Sequence, residues 1–428
     1  MYLYAMDSQR PSFGEAFRSW LELGCISFGG PAGQIAIMHR RLVEEKKWVG
    51  EGQFMHALNY CMLLPGPEAQ QLAIYLGWLL HRTWGGIVAG ALFVLPSALL
   101  LWGLSLVYVW HGETAWVAGI FAGLKPAVIA IIFGAAWRIG GKTLRNAWSW
   151  SLAVGAWVGL VFLHVPFPVL VLLAGIVGWM VPARFPAVHK ASATEPPALT
   201  SDIPAGWGRA LRITAVCLAL WWLPVLAVAL FIGKDSVQMQ MSWFFSKAAM
   251  VTFGGAYAVL PYVSQQAVET FHWLQPGQML DGLGLAETTP GPLIMVLQFV
   301  GFVGAWQNPG ALTPFWSATL GAALTTWVTF LPCFLWIFLG APYVENLRNQ
   351  PRFASALSAI TAAVVGIMAN MALWFAWHVC VPEAGRVDWF AVVLAVAALV
   401  ALQRFKWGVI TVVLAAAAIG GLRVLLGL

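Results

Sequence analysis

Long apolar stretches recur along the whole chain, and they restrict its fold more than any other feature. Nine of them cover residues 85–109, 115–137, 148–163, 165–181, 210–232, 314–340, 354–377, 390–402 and 409–426. Most approach the roughly 20 residues that a helix needs to cross the hydrocarbon core of a bilayer. Lipid cannot satisfy free backbone groups, and these stretches lack the alternating pattern of a barrel strand. We therefore expect an all-α polytopic membrane protein.

The composition points to the lipid bilayer as the partner of this chain. Hydrophobic residues make up 60% of the chain and charged residues only 9%, far from the usage of soluble domains. The net charge of +6 does not indicate nucleic acid, because the basic residues stand singly or in short clusters between apolar stretches. The sequence contains no HExxH, CxxC, GxSxG or Walker motif. We therefore expect no metal, no cofactor and no catalytic residue.

The two halves of the chain are related by an internal repeat. SFGG at 27–30 aligns with TFGG at 252–255, and Pro-Gly-Pro at 65–67 aligns with Pro-Gly-Pro at 290–292, both at an offset of 225 (290 − 65). Between 28 and 67, 12 of 40 positions are identical. After an insertion of 11 residues in the second half the offset is 236 (225 + 11). The repeat indicates a duplication.

The repeat divides the chain into four parts. Residues 1–182 form the first transmembrane repeat, and the Pro- and Ala-rich segment 183–209 reads as a cytoplasmic linker. Residues 210–232 form a linking transmembrane helix with no counterpart before the first repeat, and 233–428 form the second repeat. Each repeat has two broken or re-entrant helical segments followed by four transmembrane helices. The one extra crossing predicts that the second repeat is inverted relative to the first.

The distribution of basic residues predicts the orientation in the membrane. If the broken segments re-enter and the N-terminus is cytoplasmic, 18 (14 + 4) of the 23 Lys and Arg residues lie inside. The outer segment 264–275 carries no Lys or Arg. This asymmetry is typical of inner-membrane proteins and places the C-terminus in the periplasm. If the broken segments span instead, the halves are still inverted.

The Pro-Gly-Pro triplets interrupt helices at membrane depth. Proline cannot donate a backbone hydrogen bond and glycine is flexible, so the triplet breaks a helix. The flanking segments 53–64 and 69–80 have 12 residues each, about 18 Å as helix and too short to span alone. A helix that restarts after such a break offers free N–H groups and a positive dipole end. Two inverted copies predict a shared anion site near the midplane.

Polar side chains near the breaks suggest ligands and proton carriers. Gln70, Gln71, Thr288 and Thr289 can hydrogen-bond oxygen atoms. Lys125 is an intramembrane cation, and the alternative is a lysine that lies near a helix end and snorkels to the interface.

Two carboxylates stand next to the triplets. Glu68 follows the first triplet and Glu287 precedes the second. One hypothesis is that one of them takes up and releases a proton during transport. The alternatives are that Glu68 complements a helix dipole and that Glu287 is paired structurally.

The motifs resemble those of the two-domain members of the chromate ion transporter family. They are SFGGPAGQIAIMHRRLVEEKKWV and CMLLPGPEAQQLAIYLGW in the first half, and TFGGAYAVLPYV and GLGLAETTPGPLIMVLQFVGF in the second. The resemblance covers nearly all of the chain. It implies a secondary active transporter that exports chromate across the bacterial inner membrane, driven by the proton motive force.

The resemblance completes the set of expected site residues. With the polar residues above, the substrate site comprises Phe28, Gly29, Gly30, Pro65, Gly66, Pro67, Gln70, Gln71, Lys125, Phe253, Gly254, Gly255, Thr288, Thr289, Pro290, Gly291 and Pro292. Glu68 and Glu287 are the expected proton-coupling residues. Alternative functions are a carrier for sulfate or another tetrahedral oxyanion and a passive anion channel. The oligomeric state stays open, with a homodimer among the alternatives.

Overall fold

The described part of the chain is entirely helical. The computed structural model describes residues 11–112, 114–185, 206–253, 255–340, 351–382 and 385–427, which contain sixteen α-helices and no β-strand. The first half holds α1 Phe13–Ile26, α2 Gly30–His39, α3 Glu51–Cys61, α4 Glu68–His111, α5 Ala115–Thr143, α6 Ala147–Val161 and α7 Phe167–Met180. The linking helix is α8 Trp207–Phe231. The second half holds α9 Val237–Met250, α10 Ala256–Gln265, α11 Pro276–Thr288, α12 Val296–Gln307, α13 Pro314–Gly340, α14 Pro351–Cys380, α15 Trp389–Gln403 and α16 Val409–Leu425.

The order of helices repeats in detail. α2 continues into a π-helical turn at Arg40–Glu45, and α10 continues into one at Gln266–Thr270. α4 contains non-helical backbone at His81 and Arg82, so it is a half-helix joined to a long helix. In the second half the 11 inserted residues separate the corresponding elements into α12 and α13. Both halves therefore contain a short helix, a break, a second short helix and a long helix.

The structure shortens some of the predicted spans. Within the described part of the chain, five helices are long and apolar enough to cross a membrane by length and composition, namely α4, α5, α8, α13 and most of α14. The hairpin arms α6, α7, α15 and α16 have only 14 to 17 residues, about 21–26 Å of helix. Two of the four predicted transmembrane helices in each half therefore have the length of a full span. The other two helices of each half are shorter because capped or proline-containing turns end them; α6, for example, begins at the Asn146 capping box.

The two halves exchange these hairpins. α6 and α7 of the first half pack on α14 of the second half, while α15 and α16 pack on α5. At the α5–α16 interface Gly123 and Gly420 approach backbone to backbone, since a Cβ atom on Gly420 would lie 2.8 Å from the Gly123 Cα atom. Small residues spaced by four allow such close helix packing in membranes. The exchange buries α5 and α14 in the centre of the molecule.

Candidate anion site at the two helix breaks

The two Pro-Gly-Pro segments lie where the two halves of the chain contact each other. We call this region, formed by the backbone at Ser27, Gly66, Thr252 and Gly291, the crossing. The Gly66 amide donates to the Thr252 carbonyl at 2.7 Å, and the Gly291 amide donates to the Ser27 carbonyl at 2.7 Å. These residues are repeat equivalents, because 27 + 225 is 252 and 66 + 225 is 291. Reciprocal contacts between equivalent residues are the mark of a two-fold relation. Each break is thus fixed to the Phe-Gly-Gly element of the other half.

Only glycine fits at the centre of each break. Gly66 has φ +123° and Gly291 has φ +98°, a region that side chains strain. A Cβ atom on Gly66 would lie 2.8 Å from Cys333 Sγ, and one on Gly291 would lie 2.5 Å from Ser97 Cβ. Ser97 and Cys333 are again repeat equivalents, since 97 + 236 is 333. The crossing is therefore close-packed on both sides.

The amide groups of the two central glycines are not free. We expected the breaks to expose unpaired N–H groups, but those of Gly66 and Gly291 are used in the crossing. The free donors lie one turn further on, in the first turn of each helix that restarts. The N-cap residues of α2, α4 and α10 are Gly29, Pro67 and Gly255, and none of them makes a side-chain capping hydrogen bond. An anion site would therefore use the first turns of these helices.

The starts of these three helices converge. A Cβ atom built on Gly255 would lie 3.9 Å from Pro31 Cγ and 3.9 Å from Glu68 Oε1. Gln34 of α2 donates to the Gly291 carbonyl at 2.5 Å. Because each helix start is a positive dipole end, their convergence favours a negative group. Gly254 lies outside the described residues.

Both predicted carboxylates lie near the start of α10. Glu287 is 6% exposed near the end of α11 and accepts a hydrogen bond from the Tyr257 hydroxyl at 2.6 Å. Arg138 of α5 interacts electrostatically with both Glu287 and Tyr257. Glu68 is the first residue of α4, and its carboxylate faces Gly255. The position of Glu68 fits a carboxylate that complements the dipole of α4. It also fits a carboxylate that competes with an anion for the same helix starts.

The polar residues around the breaks mostly hold the backbone. Gln71 Nε2 donates to the Pro65 carbonyl at 2.7 Å, within its own break. The hydroxyl of Thr288 donates to the carbonyls of Gly284 and Leu285, and that of Thr289 donates to the Ala286 carbonyl. These hydroxyl hydrogens are therefore occupied by the helix. The buried Oε1 atoms of Gln70 and Gln71 have no hydrogen-bond partner among the described residues.

The proline and phenylalanine positions frame the breaks. Pro67 is the N-cap of α4, and Pro292 is the N-cap of a 3₁₀ turn at Leu293–Met295 that leads into α12. Pro65 accepts the Gln71 hydrogen bond described above. Pro290 directly precedes Gly291 at the crossing, and Phe28 and Phe253 directly follow the two carbonyls that accept the crossing hydrogen bonds.

Lys125 lies apart from the breaks. Its ammonium group is 3.6 Å from Asp281 Oδ2, and the Tyr108 hydroxyl donates to the same oxygen at 2.9 Å. Asp281 precedes Glu287 by six residues of α11, about 9 Å along the helix. The sequence analysis missed Asp281, although a lone acid in an apolar segment is a signal of function.

A large cavity lies beside the crossing rather than at it. It has a volume of about 910 Å³, runs between α4, α8 and α13, and has a mainly apolar lining that includes Gln70. Leu211 and Leu230 of α8 are 73% and 69% exposed in the isolated chain. An apolar groove of this kind suits hydrocarbon and does not suit a dianion.

A match to a known protein family extends over both halves of the chain. A family model described as "Chromate transporter" matches residues 14–179 and 239–421. This chain belongs to the chromate transporter family. Members of the chromate transporter family are transporters and not enzymes, so the chain is a membrane transporter.

The relatives of this chromate transporter family member match most of its length. It is 30% identical over 408 residues to a chromate transport protein of Cupriavidus metallidurans, which covers 94% of this chain and 91% of the relative. It is 32% identical over 363 residues to a chromate transport protein of Pseudomonas aeruginosa, covering 83% of this chain and 79% of the relative. A probable chromate transport protein of Synechococcus elongatus is 30% identical over 352 residues, covering 82% and 81%. No solved structure matches.

Proposed function

We propose that this protein is a secondary active transporter that exports chromate across the bacterial inner membrane, driven by the proton motive force. The relatives named as chromate transport proteins support the substrate. The observation that carries the proposal is the reciprocal pair of hydrogen bonds, Gly66 to Thr252 and Gly291 to Ser27. These bonds join two interrupted helices at one place, which is the recurring arrangement of secondary transporters.

The proposal includes an inverted orientation of the two halves, with the N-terminus cytoplasmic and the C-terminus periplasmic. In that orientation the start of α8 and the end of α13 lie on the inner side, and Arg209 donates to the Phe338 carbonyl at 2.9 Å. The starts of α9 and α13 lie on the outer side, and Gln238 donates to the Ser317 hydroxyl at 2.6 Å. Both contacts join ends that the inverted topology assigns to the same side.

The proposed chromate site is built from helix starts. Chromate is a tetrahedral dianion, and the first turns of α2, α4 and α10 offer N–H donors and positive dipole ends from three directions. Backbone donors recognise charge and shape, so sulfate or another tetrahedral oxyanion is the competing substrate. Water-filled access to the site is required only on one side at a time.

The proposed proton carriers are Glu68 and Glu287. Glu68 faces the same helix starts that would hold the oxyanion, so an ionised Glu68 and an oxyanion compete for one positive region. Glu287 is buried and held by Tyr257, and a buried carboxylate costs much less when it carries a proton.

Transport by inside-out vesicles tests the proposed function. We expect the vesicles to accumulate chromate when a proton gradient is imposed and to lose that accumulation when a protonophore is added. Saturation with rising chromate concentration is expected of a carrier, whereas a passive channel gives flux that follows the electrochemical gradient without saturating. Equal accumulation with and without the gradient would remove the coupling. Stronger inhibition by sulfate than by unlabelled chromate would assign the substrate to sulfate.

A further inference from the structure

A second charged cluster lies on α11, away from the helix breaks. Asp281 is 4% exposed, and its Oδ2 atom is shared between Lys125 of α5 and Tyr108 of α4. Its other oxygen, Oδ1, is buried without a hydrogen-bond partner in the described part of the chain. An ionised carboxylate has room for several donors. This carboxylate is therefore buried with half of its acceptor capacity unused, and Lys125 is its counter-ion.

The cluster joins the two halves of the molecule. Lys125 and Tyr108 belong to the first half and Asp281 to the second. A Cβ atom on Gly277 would lie 3.2 Å from the ammonium nitrogen, so glycine at this position leaves the space that the lysine uses. The charged and titratable groups that act on Asp281 are Lys125 and Tyr108, and none from α12, α14 or α16 contributes among the described residues.

The two members of the ion pair differ in access. The Lys125 side chain is 29% exposed, whereas that of Asp281 is 5% exposed. The ammonium group is therefore the more accessible member of the pair, and the carboxylate is the buried one.

We propose that Lys125 exchanges Asp281 for the transported oxyanion, and that Asp281 takes up a proton when it loses its counter-ion. The inference rests on the proposed function for the class of substrate. In the unloaded state the ammonium group pairs with the ionised carboxylate. When an oxyanion binds Lys125, the carboxylate is left buried and unpaired, which is costly. A proton from water then binds Asp281, and it returns to water when the anion leaves and the ion pair reforms.

The exchange links anion binding to proton binding at one place. Because linkage is reciprocal, a proton on Asp281 strengthens anion binding by the factor by which the anion strengthens proton binding. The repeat-equivalent positions carry His56 and Thr361, since 281 − 225 is 56 and 125 + 236 is 361. The pair therefore has no copy in the other half. In the inverted orientation the cluster lies on the outer side, so Asp281 takes its proton from that side and returns it there, and this exchange carries no proton across the membrane.

The cluster also repeats the chemistry around Glu287. Tyr108 donates to Asp281, and Tyr257 donates to Glu287 on the same helix. The cations, Lys125 and Arg138, both come from α5, 13 residues (138 − 125) apart. α5 and α11 pack against each other. Two carboxylates about 9 Å apart along α11 form a line between the outer end of this helix and the break.

Proton uptake on anion binding tests the inference directly. Purified protein in weakly buffered solution with a pH-indicator dye is titrated with chromate, and in a parallel arm with sulfate. The wild-type protein is expected to take up protons as the anion binds and to bind more tightly as the pH falls. Asp281→Asn is expected to bind the anion without that proton uptake and with an affinity that is flatter with pH. Lys125→Gln is expected to bind at least tenfold more weakly, as for the loss of a charged hydrogen-bond donor.

Matched variants separate the inference from a general effect. Asp235→Asn and Lys234→Gln lie in the exposed loop before α9 and are expected to behave as wild type. If a single variant does not fold because one buried charge is left alone, the neutral pair Lys125→Gln with Asp281→Asn removes both charges. This double variant is expected to fold, to bind chromate weakly and to lack the proton uptake that Asp281 contributes in the wild-type protein.

Two results would overturn the inference. One is proton uptake of wild-type size in the Asp281→Asn variant, and the other is wild-type affinity in Lys125→Gln or in the double variant. The proposed function fails separately, if wild-type vesicles accumulate chromate equally without a proton gradient. Anion-linked proton uptake that depends on Asp281 would then still hold.

Discussion

At the scale of single residues, the proposed anion site depends on two glycines, Gly66 and Gly291, and the proposed coupling depends on the carboxylates of Glu68 and Glu287. The sequence alone predicts that Gly66 and Gly291 interrupt helices, because Pro-Gly-Pro cannot continue one. It does not predict that their amides are occupied by Ser27 and Thr252, since a hydrogen bond between residues more than 180 positions apart follows from the crossing of the halves. Asp281 was missed for a related reason: its partners Lys125 and Tyr108 come from the other half.

Substitution of Gly291 tests the close-packed crossing. We expect Gly291→Ala to destabilise the protein by roughly 2–4 kcal/mol, because a side chain is strained at φ +98° and crowds Ser97. Gly103→Ala, in a helix where nothing lies within 4 Å of the added methyl group, is the control and is expected to be neutral or stabilising. Thermal unfolding in detergent measures both. A Gly291→Ala protein as stable as the control would contradict the packing.

Neutral replacements of the carboxylates test the coupling. We expect Glu68→Gln and Glu287→Gln to lose accumulation driven by a proton gradient while chromate–chromate exchange across the vesicle membrane continues, because exchange needs anion binding but no proton release. Glu269→Gln, in the exposed turn after α10, is the control for an acid outside the site. Normal coupled export by both single variants and by the double variant would remove Glu68 and Glu287 from the coupling mechanism.

At the scale of helices, the apolar stretches predict the positions of the long helices well. α5, α8 and α13 begin and end within a few residues of the expected ranges, apart from an extension of α5 to Thr143. Hydropathy also predicts α6, α7, α15 and α16 to within a few residues, but it cannot tell that these are short hairpin arms of 14 to 17 residues rather than full spans. Hydropathy also cannot reveal that these arms pack on the opposite half, because helix packing in lipid depends on small residues that let two backbones approach closely.

Neighbouring glycines of α16 test the exchanged hairpin. Gly420→Ala is expected to destabilise the protein by about 1–3 kcal/mol, because its methyl group would lie 2.6 Å from the Gly123 amide nitrogen. At Gly421 the added methyl group would make an ordinary contact, 3.5 Å from Ile120 Cγ1. Gly421→Ala should therefore be close to wild type in thermal unfolding. Equal effects of the two substitutions would argue against the α5–α16 contact.

At the scale of the whole molecule, the sequence repeat and the reciprocal crossing describe the same relation in two ways. The aligned motifs indicate that the halves are copies, and the crossing joins equivalent residues of the two copies. The direction of each copy in the membrane is a prediction from the extra helix α8 and from the placement of basic residues. It requires an experiment in a membrane.

Accessibility from the two sides of the membrane tests the inverted orientation. Lys47 and His272 are repeat equivalents (47 + 225 is 272), are exposed and share a left-handed backbone with φ +52°. In a protein whose exposed Cys25 is replaced by Ala, we expect Lys47→Cys to react with an impermeant thiol reagent in inside-out vesicles. His272→Cys should react in intact cells with a permeable outer membrane. Labelling of both positions from the same side would contradict the inversion.

The central claim is that the two helix breaks build one oxyanion site. Diffraction from crystals grown with chromate, recorded at the chromium absorption edge, locates the metal atom of the substrate without reference to the protein. We expect an anomalous peak between the starts of α2, α4 and α10, next to the crossing of Gly66 and Gly291. A peak on the basic surface or in the apolar groove beside α8, with none at the crossing, would contradict it.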